Sequence, residues 1–265
     1  MLTATNVVVH YGRRQILHEV SVEARPGEVT AIIGPNGSGK TTLMKALTGE
    51  MRFRGAASLN GLDVAKAHSW QLASMRGVLP QIATLAFPFT VHEVVRLGLT
   101  SGISITYQEQ ASLVGRALEM VDLPDFGPRF YQELSGGEQQ RVQLARVLCQ
   151  VWEPMLDGVP RFLFLDEPIS SLDVKHQIQI MRIAADYAKA GGGVLAIMHD
   201  LNLTANFAHH IVLLSSGKVY ASGPAKSVLT AENLEAVYDC PMHVTEQSDT
   251  GALAISPAIK LEMQH

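Results

Sequence analysis

Cysteine is scarce in this sequence, and the two that occur, Cys149 and Cys240, stand far apart with no CxxC spacing. They offer no basis for a disulfide framework or a thiolate metal site, and packing in apolar surroundings is their expected role. Long apolar runs are missing too: "VLAIM", 194–198, falls far short of the roughly 18 to 20 residues a membrane helix needs. Any membrane role must therefore come through a partner. There is no basic excess either. A formal net charge of −4 and a pI near 6.2, without blocks of like charge, give no general attraction for nucleic acid or anionic lipid. The opening "MLTATNVVVHYG" lacks a basic leading segment and a small-residue cleavage site, so the chain is expected to stay in the cytosol.

What is present suffices for a substantial core: 265 residues, 47% hydrophobic and 17% charged, as one large domain or two closely packed ones. The first eighty or so residues alternate short β-rich runs with turns, "NVVVHYG", "EVSVEA" and "EVTAIIG", the last two divided by Pro26-Gly27. A glycine-rich turn follows, then "KTTLMKALTG", a helix stopped by Gly49. From Phe87 to about Glu153 the texture is helical. "TVHEVV" carries a capping box from Thr90 to Glu93, and Ala111, Val114, Leu118 and Val121 recur at helical intervals. A second box, Ser135 with Glu138, opens a helix whose broad apolar face holds Val142, Ala145, Val147 and Leu148. "RFLFLDEP" and "VLAIMHD" read as buried strands flanking the helix "VKHQIQIMRIAADYAKA". "HIVLLSSGKVYASG" reads as a hairpin turning at Ser216-Gly217, and a mixed tail from Ala225 carries one short helix after Thr230. Strands alternating with helices in this way build a mainly parallel sheet covered on both faces.

Two glycine-rich turns carry the chemistry. Gly34-Pro35-Asn36-Gly37-Ser38-Gly39-Lys40-Thr41 fits G-x-x-x-x-G-K-[ST] at every fixed position, follows "VTAII" and precedes a helix. Backbone N–H groups freed by the glycines would cradle the β- and γ-phosphates, Lys40 would neutralise them, and the Thr41 hydroxyl would ligate Mg²⁺. The apolar run 162–165 ends in Asp166-Glu167, where such a fold places one acid for Mg²⁺ and one as general base for the attacking water. "LSGGEQQR", 134–141, is a second turn set to hold an anion at a helix N-terminus.

The P-loop, "LSGGE", "FLFLDEP", "SSLD" and "IMHD", in this order and rough spacing, resemble the ATP-binding cassette (ABC) family across nearly the whole chain. The resemblance implies an α/β fold: a P-loop NTPase core with a mainly parallel sheet, an N-terminal antiparallel β part and an inserted helical subdomain. It divides one cassette, 1–265, into a nucleotide-binding core (1–86 and 157–224), a helical subdomain (87–156) and a C-terminal extension (225–265). It implies ATP contacts from Tyr11, stacking on adenine, and from Gly34, Pro35, Asn36, Gly37, Ser38, Gly39, Lys40, Thr41 and Thr42. Thr41, Gln81 and Asp166 would surround Mg²⁺; Gln81, Glu167 and His199 would serve catalysis. Ser135, Gly136, Gly137 and Glu138, with Asp173, would act in trans on nucleotide held by a second subunit. The family usually has Thr or Ser after "DEP", where this chain has Ile169.

The resemblance further implies a homodimer of ATPase subunits on two permease subunits, served indirectly by a substrate-binding protein, at the cytoplasmic face of the bacterial inner membrane. The tail "GPAKSVLTAENLEAVYDCPMHV" resembles ATPases of iron-siderophore, haem and cobalamin importers. The segment from Trp152 to Pro160, read as a surface loop, resembles hemin importers in particular. A non-transport cassette ATPase and a nucleotide-binding regulator are the rival readings. The first tends to carry fused cassettes, coiled coils or basic surfaces, which are lacking here; the second leaves Glu167 and His199 unexplained.

Overall fold

The computed structural model describes residues 1–81, 85, 87–100, 106–248 and 251–258. Residue 86, the expected end of the first core segment, and 259–265, the end of the expected extension, lie outside them.

Strands β1 (Leu2–Tyr11) and β2 (Arg14–Ala24) pair antiparallel, and every residue of β3 (Val29–Ile33) is buried. The P-loop turn leads into α1 (Lys40–Leu47). β4 (Arg54–Leu59) and β5 (Leu62–Asp63) complete a four-stranded sheet in the order β2-β1-β4-β5. A short helix, α2 (Ser69–Met75), then precedes β6 (Arg76–Leu79); the strand-dominated reading of this region did not include it. Three helices follow, α3 (Val91–Arg96), α4 (Tyr107–Met120) and α5 (Gly136–Gln150). All three start on formed capping boxes, Thr90/Glu93, Thr106/Glu109 and Ser135/Glu138.

On α4 the inward face differs slightly from the sequence reading. Val114, Ala117, Leu118 and Val121 are buried, but Ala111, a turn ahead of that buried stripe, is exposed. The segment from Trp152 to Pro160 is not a plain surface loop. It forms a tight hairpin, β7 (Met155–Leu156) with β8 (Val159–Pro160), tied down by Asn60 Nδ2 donating to the Pro160 carbonyl at 2.7 Å. Arg116 covers the Trp152 ring at 4.9 Å from its centroid.

The chain then runs through β9 (Phe162–Asp166), α6 (Val174–Lys189), β10 (Gly193–Ile197), α7 (Leu201–Phe207), β11 (His210–Ser215) and β12 (Lys218–Gly223). It closes with α8 (Ala225–Val228), α9 (Ala231–Tyr238) and an antiparallel hairpin of β13 (Met242–Glu246) with β14 (Leu253–Pro257). The larger sheet has the order β12-β11-β3-β10-β9-β6, parallel throughout except for the edge pair β11/β12.

Period-two alternation divides the apolar residues of this sheet between two cores. Phe162, Phe164, Leu195 and Ile197 face α1 and the antiparallel sheet, whereas Leu163, Leu165, Val194 and Ala196 face the helical side. Fully burying one such large side chain stabilises by about 1.5–3 kcal/mol, so the two cores together fix the central strands from both faces. Adjacent strands β3, β10, β9 and β6 all end at one edge, and the loops that follow begin at Gly34, Met198, Glu167 and Pro80. In open α/β sheets the crevice outside the carboxyl ends of the strands is where ligands bind.

Candidate nucleotide site

The P-loop turn is a backbone conformation that only glycine tolerates. Gly34 has φ 147°, and a Cβ there would lie 2.2 Å from the Leu214 carbonyl oxygen. Gly39, the N-cap of α1 at φ 101°, would place a Cβ 2.7 Å from Leu17 Cδ2. No acidic residue sits in the first turn of α1, so the positive end of its dipole is not neutralised. Lys40 is buried, and its ammonium donates to the Gly34 carbonyl at 2.8 Å and the Pro35 carbonyl at 3.1 Å. Burial lowers its pKa, opposed by the carboxylates of Glu167 and Asp166. Ser38 Oγ is buried without a hydrogen-bond partner.

At the end of β9, Asp166 is buried and its Oδ1 has no partner. Desolvation, then the neighbouring Glu167 charge, pushes its carboxyl up to about 6. Glu167 stands in the left-handed region at φ 53°, which turns its side chain away from the strand direction. Gln81 Nε2 donates to Glu167 Oε2 at 2.8 Å, and His199 Nε2 lies 2.6 Å from Glu167 Oε1. The Glu167 backbone is held as well: its N–H donates to Ile197 O at 3.2 Å, and its carbonyl accepts from Gln140 Nε2 at 2.9 Å and Ser170 Oγ at 3.1 Å.

Tyr11, Asn36, Gly37, Gly39, Lys40, Thr41, Thr42 and Glu167 line one cleft of about 310 Å³, with Tyr11 52% exposed at its mouth. Arg14 and Ile16 join this wall, although no motif in the sequence marked them. Gln140 also escaped the sequence reading. It is one of the two glutamines in "GGEQQR", and only its reach to Glu167 distinguishes it.

The second glycine-rich turn, "LSGGE", here called the signature turn, lies outside this cleft. Gly136 lines a separate depression with Gln81, Gln139, Gln140, Ser170 and Ser171. Ser135 and Glu138 satisfy one another: Glu138 Oε2 accepts from the Ser135 N–H at 2.8 Å and its hydroxyl at 2.7 Å, and the Glu138 N–H returns to Ser135 Oγ at 3.3 Å. Gly136 and Gly137, at the first two helical positions, present N–H groups that no intrahelical carbonyl can accept. A Cβ on Gly136 would meet nothing within 4 Å, whereas one on Gly137 would press on Leu172 Cδ2 at 3.0 Å and Ser171 O at 3.1 Å. Asp173 is likewise occupied at home, capping α6 through the His176 N–H at 2.9 Å. Ile169 fills the main core at 7% exposure, and that apolar contact accounts for a side chain without a hydroxyl there. His209 Nδ1 accepts the Val29 N–H at 3.1 Å, and His210 Nε2 meets Ser222 Oγ at 2.8 Å. Cys149 is buried and its thiol pushed up to about 12 by desolvation, in keeping with a packing role; Cys240 is half-buried.

A profile of the family described as "ABC transporter" matches residues 17–170. The hemin import ATP-binding protein HmuV of Mesorhizobium japonicum is 56% identical over 245 residues, covering 92% of this chain and 93% of its own. Its namesake from Bartonella henselae is 53% identical over 247 residues, covering 93% of each. Among solved structures, a dimeric bacterial ABC transporter cassette superposes with TM-score 0.75 at 26% identity, covering 85% of this chain and 99% of its own. An inward-facing metal-chelate type ABC transporter gives 0.79 over 98% of both chains, at 23% identity a likeness of fold alone. Strand order, P-loop geometry and relatives agree: the chain belongs to the ABC transporter family and is one of its ATPase cassettes.

Proposed function

We propose that two copies of this chain hydrolyse ATP to drive hemin import through a separate permease pair at the inner membrane, supplied by a substrate-binding protein. One observation supports the shared site above all. Lys40, Thr41 and Glu167 line the P-loop cleft of one chain, while Gly136 of the signature turn lines a different depression of that same chain, which Gln81 borders from the other side. The free amides of Gly136 and Gly137 would therefore complete the site of the second copy, together with Asp173. The substrate reading rests on the hemin import relatives. No helix among the described residues is long and apolar enough to cross a membrane, which accords with a separate permease.

In this reading Glu167 takes the proton of the attacking water. Gln81 and His199, one on each carboxylate oxygen, set the plane of that base, and the left-handed backbone of Glu167 aims it at the cleft. Lys40 exchanges its two backbone carbonyls for phosphate oxygens, and Tyr11 offers its ring to the adenine. Pro35 and Asn36 shape the turn, while Ser38, Thr41 and Thr42 supply hydroxyls along it. Among the described residues no group of three or more His, Cys, Asp or Glu could hold a metal alone. Thr41, Gln81 and the partnerless Asp166 oxygen do fit Mg²⁺, a hard cation that shares its oxygen ligands with substrate phosphates. When bound, that ion would neutralise charge developing on the phosphates.

Reconstitution tests the whole reading. The chain should co-purify with a permease, and vesicles bearing both should accumulate hemin only with ATP. Glu167→Gln should keep nucleotide binding while turnover falls by about 10²–10⁴. Recovery of soluble partners only would overturn transport, and accumulation of cobalamin or a ferric siderophore instead of hemin would overturn the substrate.

A further inference from the structure

The loop from Glu167 to Asp173 joins the base of one site to a residue read as acting in the other, and α5 lies along it. Glu167 stands in left-handed backbone at φ 53° and Ser171 at φ 68°. Residues other than glycine keep that conformation only where their surroundings over-determine it. The Glu167 N–H is tied to Ile197 of β10, the strand beside β9, and its carbonyl accepts the Ser170 N–H at 3.3 Å and Ser170 Oγ at 3.1 Å from within the loop. A further tie comes from a different element. Gln140 Nε2 of α5 reaches the same carbonyl at 2.9 Å, with Ser170 Oγ 3.5 Å away.

Gln140 stands one helical turn beyond Gly136, on the face it shares with Gly137 three positions back. A Cβ on Gly137 would press on Ser171 O at 3.1 Å, so that face meets the loop at both levels. The adjacent Gln139 binds elsewhere: its Nε2 donates to the Tyr131 carbonyl at 3.2 Å and the Leu134 carbonyl at 3.1 Å, tying the approach of the signature turn onto the helix. With the Ser135/Glu138 box closed as well, turn and helix form one rigid piece. A pull on the amides of Gly136 and Gly137 therefore reaches Glu167 through the Gln140 side chain.

We propose that Gln140 is a positioning residue that couples the two nucleotide sites of the dimer. Nucleotide held by the partner draws on the signature turn, α5 carries that displacement one turn along, and Gln140 sets the backbone of the base that serves the chain's own P-loop. Each ATP thereby prepares the base that acts on the other, and hydrolysis is cooperative. The coupling rests on the ATPase reading of the site and on the role of the signature turn in trans.

Gln140→Met keeps the length of the side chain and removes the donor. In steady-state assays of the full chain it should lower kcat by about three- to tenfold, the worth of one hydrogen bond. The Hill coefficient for ATP, expected between one and two in the wild type, should fall to about one. Gln140→Lys, which retains a donor, should recover part of both. Gln179→Met removes a comparable bond, to the Met120 carbonyl at 2.7 Å, away from the nucleotide, and should change neither. A fall in kcat with the Hill coefficient unaltered marks a merely smaller folded fraction and overturns the inference. Wild-type constants in Gln140→Met overturn it too, as does a wild type that hydrolyses ATP without cooperativity; in each case the ATPase reading stands. A wild type that hydrolyses no ATP removes the proposed function together with the coupling.

Discussion

The two glycine-rich turns are built in opposite ways. At the P-loop, glycines are forced into left-handed backbone, Lys40 is desolvated, and Ser38 Oγ and Asp166 Oδ1 are buried without partners. Unsatisfied polar atoms and strained backbone concentrate where a ligand supplies the missing interactions, so this turn gains from triphosphate even within one chain. At the signature turn nothing is strained. Ser135 and Glu138 close a capping box, Gly136 faces open space, and neither glycine has positive φ. That turn is stable by itself and offers only two spare amides, which suits a surface that meets its anion late and on another molecule. In the proposed function, strain thus marks the half that would grip first, and satisfaction the half that would dock.

This contrast can be broken by substitution. The largest effect is expected at Gly34→Ala, where positive φ and the Leu214 carbonyl both reject a methyl group. Denaturant unfolding should show a loss of about 3 kcal/mol or more, with ATP binding abolished. Next comes Asp166. Folded, its carboxyl keeps a proton up to about pH 6; unfolded, it releases it near 3.8. The folded chain therefore binds more protons between those values, and the stability present below the lower one is lost as pH rises through the upper. Asp166→Asn should stabilise the nucleotide-free chain at pH 7 by about 2 kcal/mol and flatten its stability profile between those limits. An unchanged profile would show that the P-loop half stores no such tension.

On the signature side the effects shrink. Ser135→Ala removes one side of the box and should cost about 1 kcal/mol by thermal unfolding, leaving ATP affinity of the isolated chain intact. Ser135→Arg, introduced with Glu167→Gln, should in addition prevent the ATP-dependent dimer seen by size exclusion; a dimer unaffected by the arginine would refute the role in trans. Gly136→Ala is the smallest case, within about 0.5 kcal/mol of wild type, since ordinary helical backbone and open space accept the methyl group. Equal losses at Gly34 and Gly136 would erase the contrast.

Much of this arrangement was legible in the sequence because its signals are local. The P-loop spacing, the S-x-x-E boxes and the apolar runs at 29–33 and 162–165 each encode their own geometry within a few residues. The helix α2, the hairpin β7/β8 and the tail hairpin β13/β14 were not foreseen as elements. They are short or weakly patterned, and tertiary contacts such as Asn60 to Pro160 and Asn202 to Ile255 stabilise them from a distance in sequence. Gln140 was missed for the same reason.

By itself, then, the amino-acid order determined which backbone turns can exist, where helices begin and which strands lie between two apolar layers, because steric and capping rules act over a handful of neighbours. Only the tertiary structure decided that Gln81, Glu167 and His199, from the ends of three strands, share one carboxylate while Gly136 opens on a depression outside the P-loop cleft. Strand order in a parallel sheet is fixed by how two cores pack simultaneously, and that packing couples residues more than a hundred positions apart.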